Sequence, residues 1–252
     1  MSGLRRSLTS TMLMLLISAT PSGFAQEFDG YAPISDKLPP GYSAEMLARI
    51  RGGDPYYLQP VRVELPSTGT VSIYSATPDP LATIAAPAQF SVNAGHYYRL
   101  RVADLPEFPG VEIYPSIEIL DRLHPPAGQE ANYPIPVVLT KADLQEAVNG
   151  RMVTRIVYLE QPQLATTLDP LRRDFRPTLD PAVNALQAAD RLGRPMIIVR
   201  IGGRTPDGAD MPLSFFGSGG AFDLGQPAES RSDGVTRSES APSKMLTRLA
   251  AR

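Results

Sequence analysis

The chain predicts a mainly β fold: a β-sandwich, Ig-like or similar, with about three short peripheral helices. At least six strand candidates, most of them alternating apolar and polar residues with period two, are separated by proline- and glycine-rich turns. Three further stretches carry helix-start and helix-stop signals. Strands outnumber helices, which favours two packed sheets.

Residues 26–55 read as a polar, proline-containing lead-in with one short helix, capped by Ser43, stapled by Tyr42 and Leu47, and ended by Gly52 and Gly53. The sandwich is expected over 56–202. Val61, Val63 and Leu65 alternate with Arg62 and Glu64, and Val71 and Ile73 with Ser72 and Tyr74, giving two strands joined by the turn at 66–69. The proline- and alanine-rich stretch 77–87 reads as a loop. A strand over 96–102 puts Tyr98, Leu100 and Val102 on one face and Arg99 and Arg101 on the other. The next, over 111–120, puts Val111, Ile113, Ile117 and Ile119 on an apolar face. Glu112, Tyr114, Ser116 and Glu118 lie on the opposite face, expected to be wet, and Pro115 marks a bulge or a sheet edge.

After a loop, a short strand over 137–139 runs into Thr140, which with Asp143 predicts the cap of a helix over 141–149 closed by Gly150. Residues 152–160 alternate as a strand, 164–178 form a linker, and Asp180-Pro181 predicts the start of a helix ending at Gly193. Met196 to Ile201 is apolar without alternation, as in a central strand covered on both sides. From 203 to 252 Gly, Ser, Asp and Arg dominate, and a disordered tail is expected.

Residues 1–25 have the parts of a cleavable signal peptide. Arg5 and Arg6 precede the apolar run Met12-Leu13-Met14-Leu15-Leu16-Ile17, and Gly23-Phe24-Ala25 offers a cleavage site before Gln26. The run is too short for a span of about 20 apolar residues, and no second run of that length follows, so no transmembrane span is expected in the mature chain. The expected location is periplasmic or secreted. With no cysteine, disulfides, thiolate metal sites, a cysteine nucleophile and a cysteine-linked lipid anchor are excluded. The chain carries 24 basic and 26 acidic residues. Losing Arg5 and Arg6 leaves 22 against 26, a balance of −4 that argues against a nucleic-acid partner.

The block Glu107-Phe108-Pro109-Gly110-Val111-Glu112-Ile113-Tyr114-Pro115, continuing through Ile119-Leu120-Asp121-Arg122-Leu123-His124-Pro125-Pro126-Ala127-Gly128-Gln129-Glu130, resembles a family of exported bacterial proteins with no assigned activity. The resemblance extends over roughly 56–202, including Leu139-Thr140 and Tyr158-Leu159-Glu160. It implies an exported module and transfers no catalytic residue.

No complete catalytic or metal-binding constellation is present, so no cofactor is expected. His96 and His124 are the only histidines, and no HExxH pair or GxSxG elbow exists. Gly217-Ser218-Gly219-Gly220 falls in the expected tail, where nothing would hold a nucleophile. Asp207-Gly208-Ala209-Asp210 offers only two carboxylates to a calcium ion. Glu112 and Glu118 share a strand face but stand roughly 20 Å apart, so they cannot form a glycosidase pair with each other. The candidate binding residues are Tyr114, Glu112 and Glu118 on that face, with Asp121 and His124 at its end. They suggest a non-catalytic interaction module whose partner is an envelope protein or polysaccharide. The alternative is a hydrolase of extracytoplasmic polymer using carboxylates.

Overall fold

The computed structural model describes residues 34–52, 54–163, 178–206 and 211–224. The leader, the start of the lead-in, Gly53 and residues 164–177, 207–210 and 225–252 lie outside the described residues.

The described strands are β1 (Leu58–Glu64), β2 (Thr70–Tyr74), β3 (Ala82–Ala85), β4 (Ala88–Asn93), β5 (Tyr97–Ala103), β6 (Ser116–Ile119), β7 (Ile135–Val138), β8 (Val153–Glu160), β9 (Gly193–Ile201) and β10 (Phe222–Asp223). They form a four-stranded sheet, β10-β4-β1-β7, and a six-stranded sheet, β3-β2-β5-β6-β9-β8. β1 pairs with β7 in parallel, and the other pairings are antiparallel. Val61, Val63, Phe90 and Val137 of the smaller sheet share one core with Ile73, Leu100, Ile117 and Val199 of the larger. The fold is therefore mainly β and sandwich-like, with three short helices, as the alternation predicts.

Local patterns account for much of this. Thr140 and Asp143 form a reciprocal capping box that starts α2 (Lys141–Val148), and Leu144 and Ala147 of that helix enter the main core. β9 lies between β6 and β8, the interior position that its unbroken apolar run requires.

Several expectations need correction. Stretch 77–87 contains β3, a short edge strand that pairs with β2, and β4 follows it where no strand is expected. The expected strand over 111–120 shrinks to β6, because Pro115 supplies no donor; upstream of it only Ile113 bridges to Val102. Asp180-Pro181 makes a turn, and α3 (Ala185–Leu192) starts later on Asn184, whose side chain accepts from the N–H groups of Leu186 and Gln187. The expected tail is folded in part: residues 211–224 include β10 and bury Phe215 and Phe216.

The largest correction concerns the face bearing Ser116 and Glu118, which is dry. α1 (Tyr42–Arg51) and α3 lie across it, and Ala44 and Leu186 pack with Leu120 and Ile198. Glu118 is fully buried. Its Oε2 accepts from Arg200 Nη1 at 2.6 Å, and its Oε1 accepts from the Ala44 N–H at 2.8 Å. Ser43 does not cap the helix. Gly41 is the N-cap residue, with no side-chain bond, while Ser43 Oγ donates to Ser35 O at 3.1 Å. Arg200 also donates to the carbonyls of Asp36 and Leu38, so one ion pair ties the whole 36–44 segment to the sheet.

Breaking a buried ion pair from one side leaves an uncompensated charge and costs about 3–5 kcal/mol. Glu118→Ala should lose that amount in denaturant unfolding and expose the α1 amides to hydrogen exchange. A loss under about 1 kcal/mol would show that the pair does not hold α1.

Asp143 is buried, which by itself raises its pKa. The Arg155 guanidinium, 2.5 Å away, and Thr140 outweigh that effect and hold the carboxyl below its ordinary value. Such a group contributes stability that is complete above the unfolded pKa, about 3.9, and is lost as pH falls through the folded value. The stability gap between the wild-type chain and Asp143→Asn should therefore narrow below about pH 4, as read by chemical unfolding at stepped pH. A gap of constant size down to pH 2 would contradict this.

Candidate functional site

Docking of α1 on the larger sheet leaves a cleft of about 760 Å³ between the helix, the 93–97 turn and the 120–122 strand end. Its size falls within the range of about 300–1,000 Å³ usual for small-ligand sites. Two glycines permit the close approach. A Cβ on Gly41 (φ +93°) would stand 2.6 Å from the Tyr97 ring, and one on Gly95 (φ +86°) would stand 2.9 Å from Ala48 Cβ.

Asp121 is the electrostatic centre of the cleft wall. Its Oδ2 is bonded by Arg51 from the end of α1 and lies 3.5 Å from Arg194 Nε. Its Oδ1 accepts from the Arg122 N–H at 2.8 Å. The Arg122 guanidinium sits over the Tyr57 ring, 5.1 Å from its centroid, and no described carboxylate lies within ion-pair distance of it. Across the cleft Glu45 pairs with Arg49 on the exposed side of α1. Asp54 accepts from the Tyr56 N–H at 2.9 Å. Tyr42, 46 % exposed, stands at the rim.

The far end holds Ser218 and His96, with Ser218 Oγ 3.2 Å from His96 Nδ1. The stretch expected to be a loose tail is zipped along β5. The Ser218 N–H donates to Tyr97 O, Ser218 Oγ accepts from the Tyr97 N–H at 3.0 Å, and Tyr98 Oη donates to Ala221 O at 2.7 Å. Burial pushes the Tyr98 phenol well above its ordinary pKa, which keeps it a donor. Ser218 Oγ thus already serves the backbone of β5, and its contact with His96 extends that clamp. Among the described residues no carboxylate bonds the His96 ring, and no group of three or more His, Asp or Glu is placed to hold a metal.

The structure does not gather the five sequence-derived candidates. Asp121 lines the cleft, whereas Glu118 is closed off beneath α1. Tyr114 is buried with Tyr74, Phe215 and Phe216 and donates to Glu112 Oε2 at 2.6 Å. Arg101 bonds the other oxygen of Glu112 at 3.3 Å. Burial, and then the bond to Glu112, raise the Tyr114 pKa. Neither Tyr114 nor Glu112 lines the cleft. His124 is exposed on the loop beyond it. Sequence reasoning missed Tyr42, Arg51, Tyr57 and Arg122 as site residues. Only the polar run Asp121-Arg122 at a strand end signalled this location, because the other groups arrive from α1 and its flank.

The chain matches no protein-family model, no curated protein and no solved structure.

Tyr57 Oη is buried and has no hydrogen-bond partner among the described residues, and burial raises its pKa. Removing an unpaired buried hydroxyl relieves a desolvation cost of about 1–3 kcal/mol. Tyr57→Phe should leave thermal stability unchanged or raised while keeping the ring under Arg122. A fall of more than about 1 kcal/mol would mean that the hydroxyl has a partner in solution.

Proposed function

We propose that the chain is a non-catalytic interaction or structural module of the cell envelope or extracellular space, holding an envelope polysaccharide or protein. The cleft beneath α1 carries this reading. It has ligand size, an exposed tyrosine at its rim and guanidiniums in its wall, and its carboxylates are engaged in fixing its own shape. The export-type leader supports the location. Among the described residues no helix is long and apolar enough to cross a membrane.

The carboxylate-hydrolase alternative needs Glu112 or Glu118 facing a second carboxylate across a cleft. Glu118 is bonded to Arg200 and the Ala44 N–H, and Glu112 to Tyr114 and Arg101. Neither arrangement leaves a free acid beside a bound polymer.

Cosedimentation with isolated envelope polysaccharide, paired with crosslinking to envelope proteins, tests the reading. The chain should be retained by one of them, and Tyr42→Ala should weaken retention about tenfold, as expected for a rim aromatic that anchors a ligand. Retention by neither, release of polymer fragments, or labelling of Ser218 by a fluorophosphonate would overturn it.

A further inference from the structure

We propose that the cleft binds a sugar acid, with Arg122 and Arg51 receiving its carboxylate and Tyr42 packing beneath its ring. This inference rests on the binding-module reading and specifies its ligand. Arg51 and Arg194 both pair with the single carboxylate of Asp121, and the Arg122 guanidinium, placed over the Tyr57 ring, has no described carboxylate within ion-pair distance. Together these groups leave two net positive charges at one wall of a chain whose overall charge is −2. Arg122 is the available member. Stacking on Tyr57 fixes the plane of its guanidinium, and a pre-oriented fork matches a planar carboxylate through two parallel bonds.

The rest of the lining selects within the class of anions. Over the whole cleft Arg49, Arg51 and Arg122 face Glu45, Asp54 and Asp121. This balance suits a single carboxylate at the Arg122 wall better than a dianionic phosphate, with further acid groups of an oligomer left outside the cleft. Glu45 and Asp54 each accept one bond already, from Arg49 and from the Tyr56 N–H, and the second oxygen of each carboxylate can accept from a ligand. The hydroxyls of a sugar supply the donors, whereas the side chains of an acidic peptide bring only more acceptors. The partly exposed ring of Tyr42 offers an apolar face with a polar tip, the surface a sugar ring packs against.

Isothermal titration of the full chain with trigalacturonate, its methyl ester, a hexose phosphate and a short polyglutamate tests this at low and moderate salt. Trigalacturonate should bind with an affinity that falls as salt rises. The methyl ester, which keeps every hydroxyl and loses the charge, should bind about tenfold or more weakly. Arg122→Ala should cost trigalacturonate about tenfold and the ester nothing, with Arg122→Lys recovering part of the loss. Thermal unfolding shows whether Arg122→Ala keeps its fold. If it does not, Arg51→Gln at the same carboxylate position gives the comparison. Equal binding of acid and ester would overturn the charge argument while leaving a sugar-binding module intact. Tighter binding of the phosphate or the polyglutamate would overturn the ligand class. Absence of any binding would overturn this inference alone, since retention by envelope material is measured separately.

Discussion

The buried pair between Glu118 and Arg200 is the constraint on which the outer layer of this protein depends. A carboxylate and a guanidinium removed from water are tolerated only when each finds compensating bonds. Here each does: Glu118 takes the Ala44 N–H as well as Arg200, and Arg200 takes two carbonyls of the 36–38 stretch. The charges sit diagonally across the β6–β9 register, with Ser116 opposite Arg200 and Glu118 opposite Ile198. A helix with no side-chain cap of its own thereby receives one from a strand 74 residues away.

Everything proposed for the cleft follows from that placement. With α1 fixed, Arg51 at its C-terminal end reaches Asp121 at the end of the β6 segment, and Gly41 and Gly95 allow helix and turn to approach within a single methyl group of each other. The cleft is therefore a boundary between two pieces of chain held by buried polar bonds, and its charge pattern combines an α1 contribution with a strand-end contribution. The segment around Ser218 closes the far end by acting as an extra partner for the edge of β5 at Tyr97 and Tyr98.

Much of the sandwich was legible in the sequence because its signals are local. Alternation in β1, β2 and β5, the Thr140–Asp143 capping box and the unbroken apolar run of β9 each depend on neighbours within a few residues. β4 does alternate, with Ala88, Phe90 and Val92 against Gln89, Ser91 and Asn93, so its signal is present in the sequence although no strand is expected there. β3 was not legible: its four residues carry little apolar contrast, and its pairing with β2 provides what the side chains do not. The face of β6 was misread for a related reason. A glutamate in an alternating strand signals water unless a distant arginine and a helix amide arrive to enclose it.

The sequence by itself determined the class of the fold, the absence of thiol chemistry, the short α2 helix and the polar strand end at Asp121-Arg122. All of these are matters of composition, period or adjacent residues. Only the tertiary structure decided that Glu118 is interior, that residues 211–224 belong to the sandwich, and that Arg51, Tyr57 and Tyr42 line one cleft with Arg122. These facts depend on contacts between segments some 70 to 160 residues apart in the chain. No local pattern encodes such contacts, because their free energy comes from charge and hydrogen-bond satisfaction that exists only once the sheet and the helix have met.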